Sequence, residues 1–330
     1  MTIHRTRALL QAALWVGLCT AQIAWSQPAW RPEKNVEVIL GTAAGGINDR
    51  VVRVMQNIFQ EQKLTGVPVL PINKPGGNQT LAVVYLNQHA ADPHYLLYST
   101  PTPFTNEIAG ITKLRYTDLT AVALLFVEYT VILVRNDSPM KSMGDLINRL
   151  KVNPEALSFA LGARGGVNHM GLSQAVRFAG INPQKLKVAV FKTSGETLTA
   201  LAGGHVDAVA SSVSAAFALA QGGTVRMLAV AAPQRIPGAM AHVPTFRDGG
   251  LEVSGISNWR ALFGPKGITP AQVAFWEEAL AKVVTTGEWQ RLVEQNNLTS
   301  HFLRSKEAAA YLEREYTATK TTMVDLGLAK

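Results

Sequence analysis

The chain has 330 residues, of which 47% are hydrophobic and 16% charged, a composition typical of a globular protein with room for two domains. Its formal net charge is +8, but the lysines and arginines are scattered without interleaved aromatic residues, which does not indicate a nucleic-acid-binding surface. The only cysteine, Cys19, lies in an N-terminal segment that we expect to be removed. Disulfides, thiolate metal sites and a cysteine nucleophile are therefore excluded from the mature chain.

Residues 1–26 are predicted to be a cleaved signal peptide, which indicates a bacterial periplasmic location. A basic start precedes an apolar stretch, and Ala24 and Ser26 are small residues at positions −3 and −1 of a cleavage site. Cleavage at Ala21 and retention as an uncleaved anchor are alternatives, although the apolar run is short and interrupted for a membrane span.

The first predicted element of the mature chain is the strand Val36–Leu40, followed by small residues up to Gly46 and a helix over about residues 47–62. Apolar residues recur on one face of this helix. Small residues let a ligand approach the backbone, and the free N–H groups of a first helical turn favour an anion. The stretch indicates an anion receptor or, equally, an ordinary tight connection between a strand and a helix.

Strands and helices then alternate, which predicts an α/β protein with parallel-rich sheets flanked by helices. The further predicted strands are residues 67–72, 95–99, 129–135, 157–161, 187–191, 208–211 and 225–231, together with an apolar strand that opens the segment 257–274. The predicted helices are residues 81–88, 143–151, 167–178, a helix ending at 202, and 214–220. Residues 270–326 are predicted to be mostly helical.

Two helix starts carry specific capping signals. Ser142 and Asp145 have the spacing of a capping box. Thr269, Pro270 and Gln272 suit the N-cap, first and third positions of the next helix.

Six segments carry a pattern that extends over nearly all of the mature chain. They are G-G-I-N-D at 45–49, I-N-K-P-G-G-N at 72–78, and residues 162–169, 191–207, 243–250 and 259–270. In order and spacing, this set resembles the extracytoplasmic binding proteins of tripartite tricarboxylate transporters, the Bug family. The chain departs from the family pattern at Ala44, where proline is usual, at Arg164 in a loop usually built of small residues, and at Thr193-Ser194.

The resemblance implies a two-lobed periplasmic binding protein fold of the type II-like, Venus-flytrap kind. We expect residues 27–128 and 255–330 to form lobe one and residues 129–254 to form lobe two. The implied function is capture of a small di- or tricarboxylate or aromatic acid in the cleft and delivery to the membrane components of a transporter. The expected protein is a monomer that needs no cofactor and no metal.

Two loops, one per lobe, are the main candidates for contact with the solute. Each precedes a helix, so each can offer backbone N–H groups and a positive helix end to a carboxylate. Two such receptors suit a dicarboxylate, one end per lobe. The candidate residues are Ala43, Ala44, Gly45, Gly46 and Asn48 in the first loop and Ala163, Arg164, Gly165 and Asn168 in the second.

Hydroxyl groups at two other strand ends are further candidates. Ser99 and Thr100 end a strand at the expected edge of the cleft. Thr193, Ser194 and Thr197 follow a strand of lobe two, where their hydroxyls can either bond the ligand or cap a helix.

Four charged or titratable side chains have two interpretations each. Arg164 can clamp a carboxylate with two donors or remain solvated. Asp49 can bond the loop N–H groups and hold their shape, or simply complement the helix dipole. His169 and Asp207 are candidates for orienting their loops, with a packed histidine and a surface-turn aspartate as the alternatives.

Enzyme functions find little support in the sequence. It has no G-x-S-x-G, H-E-x-x-H, Walker or G-x-G-x-x-G motif, so we assign no catalytic residue. Two alternatives to transport stay open. One is a periplasmic adaptor that presents the bound state to a signalling receptor, and the other is an α/β hydrolase that uses Ser211 or Ser212.

Overall fold

The structure, a computed structural model, describes residues 30–191, 193–253 and 256–330. The predicted signal peptide, residues 1–26, lies outside this part of the chain. Residues Arg31–Lys330 form one compact unit.

Eleven strands and ten α-helices are formed by the described residues. The strands are β1 (Val36–Leu40), β2 (Val69–Asn73), β3 (Tyr95–Ser99), β4 (Leu119–Val127), β5 (Thr130–Arg135), β6 (Ser158–Leu161), β7 (Lys187–Val190), β8 (Ala208–Ser212), β9 (Val225–Val230), β10 (Arg260–Pro265) and β11 (Thr299–Arg304). The helices are α1 (Ile47–Glu61), α2 (Thr80–Asn87), α3 (Thr102–Ile108), α4 (Met143–Val152), α5 (Val167–Phe178), α6 (Ser194–Ala202), α7 (Val213–Gln221), α8 (Pro270–Val284), α9 (Gly287–Gln295) and α10 (Ser305–Asp325).

The strands form two sheets, with the order β11-β4-β10-β3-β1-β2 in the first and β7-β6-β8-β5-β9 in the second. In the first sheet β1 is parallel to β2 and β3, whereas β10 is antiparallel to β3 and β4 and β11 is antiparallel to β4. In the second sheet β6 is parallel to β7 and β8, whereas β5 is antiparallel to β8 and β9. The α/β architecture is as predicted, and both sheets are mixed rather than mainly parallel.

The chain passes between the two sheets along two neighbouring segments. The first passage joins β4 to β5 through Glu128 and Tyr129, and the second leads into β10 through Asn258. The two passages pair with each other, because Glu128 N–H donates to Asn258 O (3.2 Å) and Asn258 N–H donates to Glu128 O (2.8 Å). The Glu128 carboxylate also accepts from the backbone N–H of Ser214 at the start of α7 (3.1 Å) and from Asn258 Nδ2 (3.2 Å).

The strands of the first sheet come from residues 36–127 and 260–304, and those of the second from residues 130–230. The lobe boundaries expected from the sequence, at 128/129 and 254/255, stay a prediction, and the second of them falls on residues outside the described part.

Helix α10 packs on both parts of the fold. Its N-terminal half covers β4, and near its C-terminus Gln174 Nε2 of α5 donates to Thr322 Oγ1 at 3.1 Å. Arg177 of α5 forms an ion pair with Asp325. An apolar cluster containing Met170 and Met323 lies at the same contact and adds buried area to it.

Both predicted capping signals are confirmed. Asp145 N–H donates to Ser142 Oγ (3.1 Å) and Ser142 N–H to Asp145 Oδ2 (3.0 Å). Thr269 and Gln272 form the same reciprocal pair around Pro270 at the start of α8. These local signals fixed the helix starts because the capping bonds involve only neighbouring residues.

Three elements of the structure were not predicted from the sequence. Strand β4 is a nearly continuous apolar run, which fits a fully buried strand but gives no alternation. Strand β11 reads T-S-H-F-L-R and has no strong apolar period. Helix α3 begins within the Thr-Pro-Thr-Pro stretch at 100–103, because proline is tolerated in the first helical turn.

Glu315 of α10 anchors the second passage between the sheets. Its Oε2 accepts from the backbone N–H of Ser257 at 3.0 Å and from the Ser257 hydroxyl at 3.2 Å, and that hydroxyl lies 2.6 Å from the Tyr311 hydroxyl. Burial raises the pKa of the Glu315 carboxyl to about 7, although the bonds from Ser257 oppose the shift.

We expect Glu315 to make the folded protein less stable as the pH rises. Its folded-state pKa of about 7 exceeds the ordinary value of 4.5, so the folded chain binds more protons between these two values. The free energy of unfolding should therefore fall across this window in the parent, whereas Glu315→Gln should flatten the fall. Urea unfolding at pH 5, 6, 7 and 8 measures it. Glu313→Gln, on an exposed site of the same helix, is the control, and parallel profiles for the parent and Glu315→Gln would contradict the assignment.

Candidate functional site

The parallel strands bring the predicted site loops to the edge of each sheet. Loop A, residues 41–46, follows β1 and leads into α1, and loop B, residues 162–166, follows β6 and leads into α5. Because parallel strands have their carboxyl ends at the same edge, the residues that follow β3 lie beside loop A and those that follow β7 lie beside loop B.

Loop A is held by a bond between its backbone and the first turn of α1. Gly45 N–H donates to Asp49 Oδ2 at 2.9 Å, and Arg53 Nε donates to the same oxygen at 2.9 Å. The Arg53 bond, and after it the Gly45 N–H bond, hold the pKa of the buried Asp49 carboxyl below its usual range. Asp49 thus stays ionised and shapes the loop, while Ala43, Ala44, Gly45 and Gly46 are exposed.

Loop B is held in the same way by a histidine. Gly165 N–H donates to His169 Nδ1 at 3.0 Å, and the His169 side chain is buried. Burial, with a contribution from the positive charge of Arg164, lowers the pKa of His169 to about 4. The imidazole is therefore neutral at pH 7, with Nδ1 as the acceptor and the proton on Nε2.

The two loops share one backbone design. Gly45 and Gly165 have left-handed φ angles of 86° and 69°, which side chains disfavour. The next residues, Gly46 and Gly166, are the N-caps of α1 and α5, with φ of −80° and −74° and no side-chain capping bond. The first-turn N–H groups of both helices therefore lack a side-chain partner and can bind an anion.

The same design is visible in the sequence as G-G-[IV]-N-[DH], at 45–49 and again at 165–169. Each asparagine in this pattern bonds to a residue that follows a passage between the sheets. Asn48 Oδ1 accepts from Arg260 Nε at 2.9 Å, and Asn168 Oδ1 accepts from Thr130 Oγ1 at 3.0 Å. Arg260 stands two residues after Asn258, and Thr130 two residues after Glu128. Each loop is thus tied by one side-chain bond to one of the paired passages.

Ser99 and Thr100 lie beside loop A but below its surface. Both are buried, and the Thr100 hydroxyl donates to Gln79 Oε1 at 3.1 Å and lies 3.1 Å from the Thr102 hydroxyl. The Ser99 hydroxyl donates to the Thr100 carbonyl at 3.2 Å. Both hydroxyls are therefore already bonded to neighbouring groups of the protein.

The two threonines that follow β7 form hydrogen bonds with the backbone of nearby residues. Thr193 caps α6, because its Oγ1 accepts from Glu196 N–H at 3.1 Å, and the buried Thr197 donates to the Ser194 carbonyl at 2.7 Å. Ser194 is exposed at the first position of α6, next to loop B. The neighbouring Lys192 lies outside the described residues.

Arg164 and Asp207 lie in different places. Arg164 is exposed on loop B, where its guanidinium is within electrostatic range of His169. Asp207 precedes β8 and accepts from the Ser158 N–H (2.8 Å) and hydroxyl (2.7 Å) at the start of β6. That is the end of the strand opposite loop B, so the structure does not bring Asp207 to the loops.

Sequence inspection missed the residues that join the loops to the passages, namely Glu128, Thr130, Asn258 and Arg260. One of them carries a sequence signal, since Arg260 is a charged residue in the otherwise apolar run W-R-A-L-F-G-P. The others are ordinary polar residues whose role depends on contacts distant in sequence.

Residues 30–191, 193–253 and 256–330 contain no group of three or more histidine, cysteine or acidic side chains able to hold a metal ion. None of the helices they form combines the length and apolar character needed to cross a membrane.

The two glycines of loop A should respond oppositely to serine. Gly45→Ser should lower the free energy of unfolding by about 1–2 kcal/mol, because its φ of 86° is left-handed. Gly46→Ser should leave stability unchanged or raise it by a few tenths of a kcal/mol, because serine is a good N-cap and a Cβ there meets no atom within 4 Å. Urea unfolding compares the two, and equal effects would contradict the described loop conformation.

Comparison with known proteins places the chain among solute-binding proteins. It is 28% identical to the protein BugT of Bordetella pertussis over 276 residues, covering 81% of each chain. A TctC solute binding protein from Polaromonas, solved without ligand, superposes with a TM-score of 0.79 at 23% identity, covering 89% of this chain and 99% of that one.

Two structures from Rhodopseudomonas palustris are also similar. Rpa4515 with adipate has a TM-score of 0.75 at 21% identity, covering 90% of this chain and 99% of its own. MatC with bound malate has a TM-score of 0.69 at 24% identity, covering 88% and 99%. At these identities the likeness establishes the fold, which is the predicted two-lobed periplasmic binding protein fold.

The family model described as "Tripartite tricarboxylate transporter family receptor" matches residues 51–328, which is most of the chain. Proteins of this TctC family are periplasmic solute-binding proteins rather than enzymes. The matched range includes both sheets except β1, together with α5 and the passages between the sheets. The chain therefore belongs to the TctC family of tripartite tricarboxylate transporter receptors, as the resemblance of its motifs predicted.

Proposed function

We propose that this protein is a periplasmic receptor that binds a small dicarboxylate between its lobes and delivers it to the membrane components of a tripartite tricarboxylate transporter. In this proposal residues 1–26 are a signal peptide, the mature protein is a monomer, and no catalytic step takes place. Lobe one comprises residues 27–128 and 255–330, and lobe two residues 129–254.

The observation that carries the proposal is the repeated loop design at the passages between the sheets. Each of loops A and B offers first-turn N–H groups without a side-chain cap, which attract a carboxylate through partial positive charge. Each loop is followed by an asparagine whose side-chain oxygen already accepts a hydrogen bond. The side-chain NH2 group of that asparagine therefore remains available to donate to a ligand. Two receptors of this kind suit a solute with an acidic group at each end.

Similar proteins support a dicarboxylate of modest length. The two R. palustris proteins were solved with malate and with adipate, which are acids with a carboxylate at each end. The acid bound by this chain is proposed to belong to the same chemical class, and the ligand contacts are proposed to be those of loops A and B with Ser194.

A screen of mono-, di- and tricarboxylates, including malate and adipate, tests the ligand class. A true ligand at ~100 times its dissociation constant should stabilise the folded protein by ~2.7 kcal/mol, which a thermal-shift measurement detects. Adding that ligand should also reduce the radius of gyration in X-ray scattering, since the lobes close around it. Stabilisation by no acid would overturn the carboxylate class, and unchanged scattering with a confirmed ligand would overturn closure.

Arg164 is proposed to bind the acidic group at the lobe-two end, where its fork of donors adds a full charge to the loop N–H groups. Arg164→Ala should weaken adipate binding by roughly tenfold to a hundredfold, the worth of a charge-assisted hydrogen bond. The same variant should bind hexanoate, which has one acidic end, with nearly the affinity of the parent. Arg164→Lys should recover part of the loss, because lysine keeps the charge without the fork.

Calorimetry of both acids against the parent and the two variants decides the role of Arg164. If the ratio of the adipate and hexanoate affinities stays the same in all three proteins, Arg164 points into solvent. Specificity at the lobe-two end would then move to Thr193 and Ser194.

A further inference from the structure

Arg260 is a buried cation directly behind loop A. Its residue is 6% exposed, and the guanidinium lies 6.0 Å from the centre of the Phe126 ring. Nη1 donates to the Asn258 carbonyl (3.0 Å), Asn258 Oδ1 (2.7 Å) and the Trp259 carbonyl (3.0 Å), and Nε donates to Asn48 Oδ1 (2.9 Å). All four acceptors are neutral oxygens.

No carboxylate of the described residues forms an ion pair with Arg260. The closest connected one is Glu128, which reaches Arg260 only through the Asn258 amide and is itself occupied by the N–H of Ser214. Tyr98 lies beside the guanidinium, but burial raises the pKa of its hydroxyl, which therefore stays neutral. A guanidinium in such a place is costly unless a negative charge comes close to it.

The equivalent position in the other lobe is neutral. Thr130 follows Glu128 as Arg260 follows Asn258, and its hydroxyl donates to Asn168 Oδ1 at 3.0 Å just as Arg260 Nε donates to Asn48 Oδ1. The two bonds orient their asparagines alike. Only the donor in lobe one, the Arg260 guanidinium, also carries a full positive charge.

We propose that Arg260 is the specificity-determining residue of the lobe-one end, where it holds Asn48 with its amide N–H groups available and supplies the positive charge that makes an anionic group of the solute obligatory. This inference rests on the proposed function, since it concerns the same cleft. It adds to that function a difference between the two ends of the cleft, because only the lobe-one end requires a carboxylate. Every ligand presents a carboxylate to loop A, and the group presented to loop B is the one that varies between ligands.

Whether the Arg260 charge lacks a neutralising partner can be tested without any ligand. Asn48→Asp places a carboxylate at the oxygen that already receives Arg260 Nε, so the variant should melt about 2–4 °C above the parent. Asn168→Asp is the matched control, because it also adds a carboxylate to a first helical turn but its partner Thr130 is neutral, so it should gain less than Asn48→Asp. An equal gain in both variants, or no gain in Asn48→Asp, overturns the proposal.

The effect on binding is tested with adipate and hexanoate by calorimetry. Arg260→Gln keeps a donor for Asn48 but removes the charge, and should weaken both acids by the same factor. That factor is roughly fifteenfold to thirtyfold, as for unit charges about 8–10 Å apart at an effective dielectric constant of about 20. Thr130→Val, which removes only a neutral contact in lobe two, should have a smaller effect.

The outcomes separate this inference from the proposed function. If Arg260→Gln weakens adipate but leaves hexanoate unchanged, or has no more effect than Thr130→Val, the assignment of Arg260 is overturned while acid binding stands. If the parent binds neither these acids nor any other, the proposed function fails. The melting comparison of Asn48→Asp and Asn168→Asp then still decides whether Arg260 is an unneutralised cation.

Discussion

The pairing of Glu128 with Asn258 is the contact on which the rest of the arrangement depends. Two backbone hydrogen bonds, of 3.2 and 2.8 Å, join the two passages between the sheets, and the Glu128 carboxylate ties them to the start of α7. Thr130 and Arg260 each follow this pair by two residues, and each bonds the asparagine of one loop, so both loops are tied to the paired passages.

Loops A and B are each built from two successive glycines and the N-terminus of a helix. A left-handed glycine turns the chain, its N–H bonds back to a side chain of the first helical turn, and the next glycine leaves the helix start without a cap. The side chain that holds the loop differs between the two copies. Asp49 is ionised and paired with Arg53, whereas His169 is neutral because it is buried near Arg164. The backbones of the two loops are therefore alike, while their surroundings carry different charge.

Much of the site was accessible from the sequence, and the missing part has a physical explanation. The two glycine loops and the helices after them follow from residue type and short spacing, and so do Asp49 and His169, which act four residues from their partners. Thr193 and Thr197 are also local, and their hydroxyls bond the backbone of α6 rather than the opening. Arg260 and Thr130 could not be assigned in this way, because their partners lie 212 and 38 residues away in the chain.

The sequence by itself determined the elements whose causes are local: the alternation of strands and helices, the capped starts of α4 and α8, and the family pattern carried by short motifs. Tertiary structure alone decided how strands pair, because β4 and β10 carry the chain to and from the second sheet and so run against their neighbours. It also decided that Asp207 belongs to the strand end away from the loops, and that a charge in an apolar run, Arg260, lies beneath loop A. Pairing and burial depend on residues far apart in the chain, and no local pattern records them.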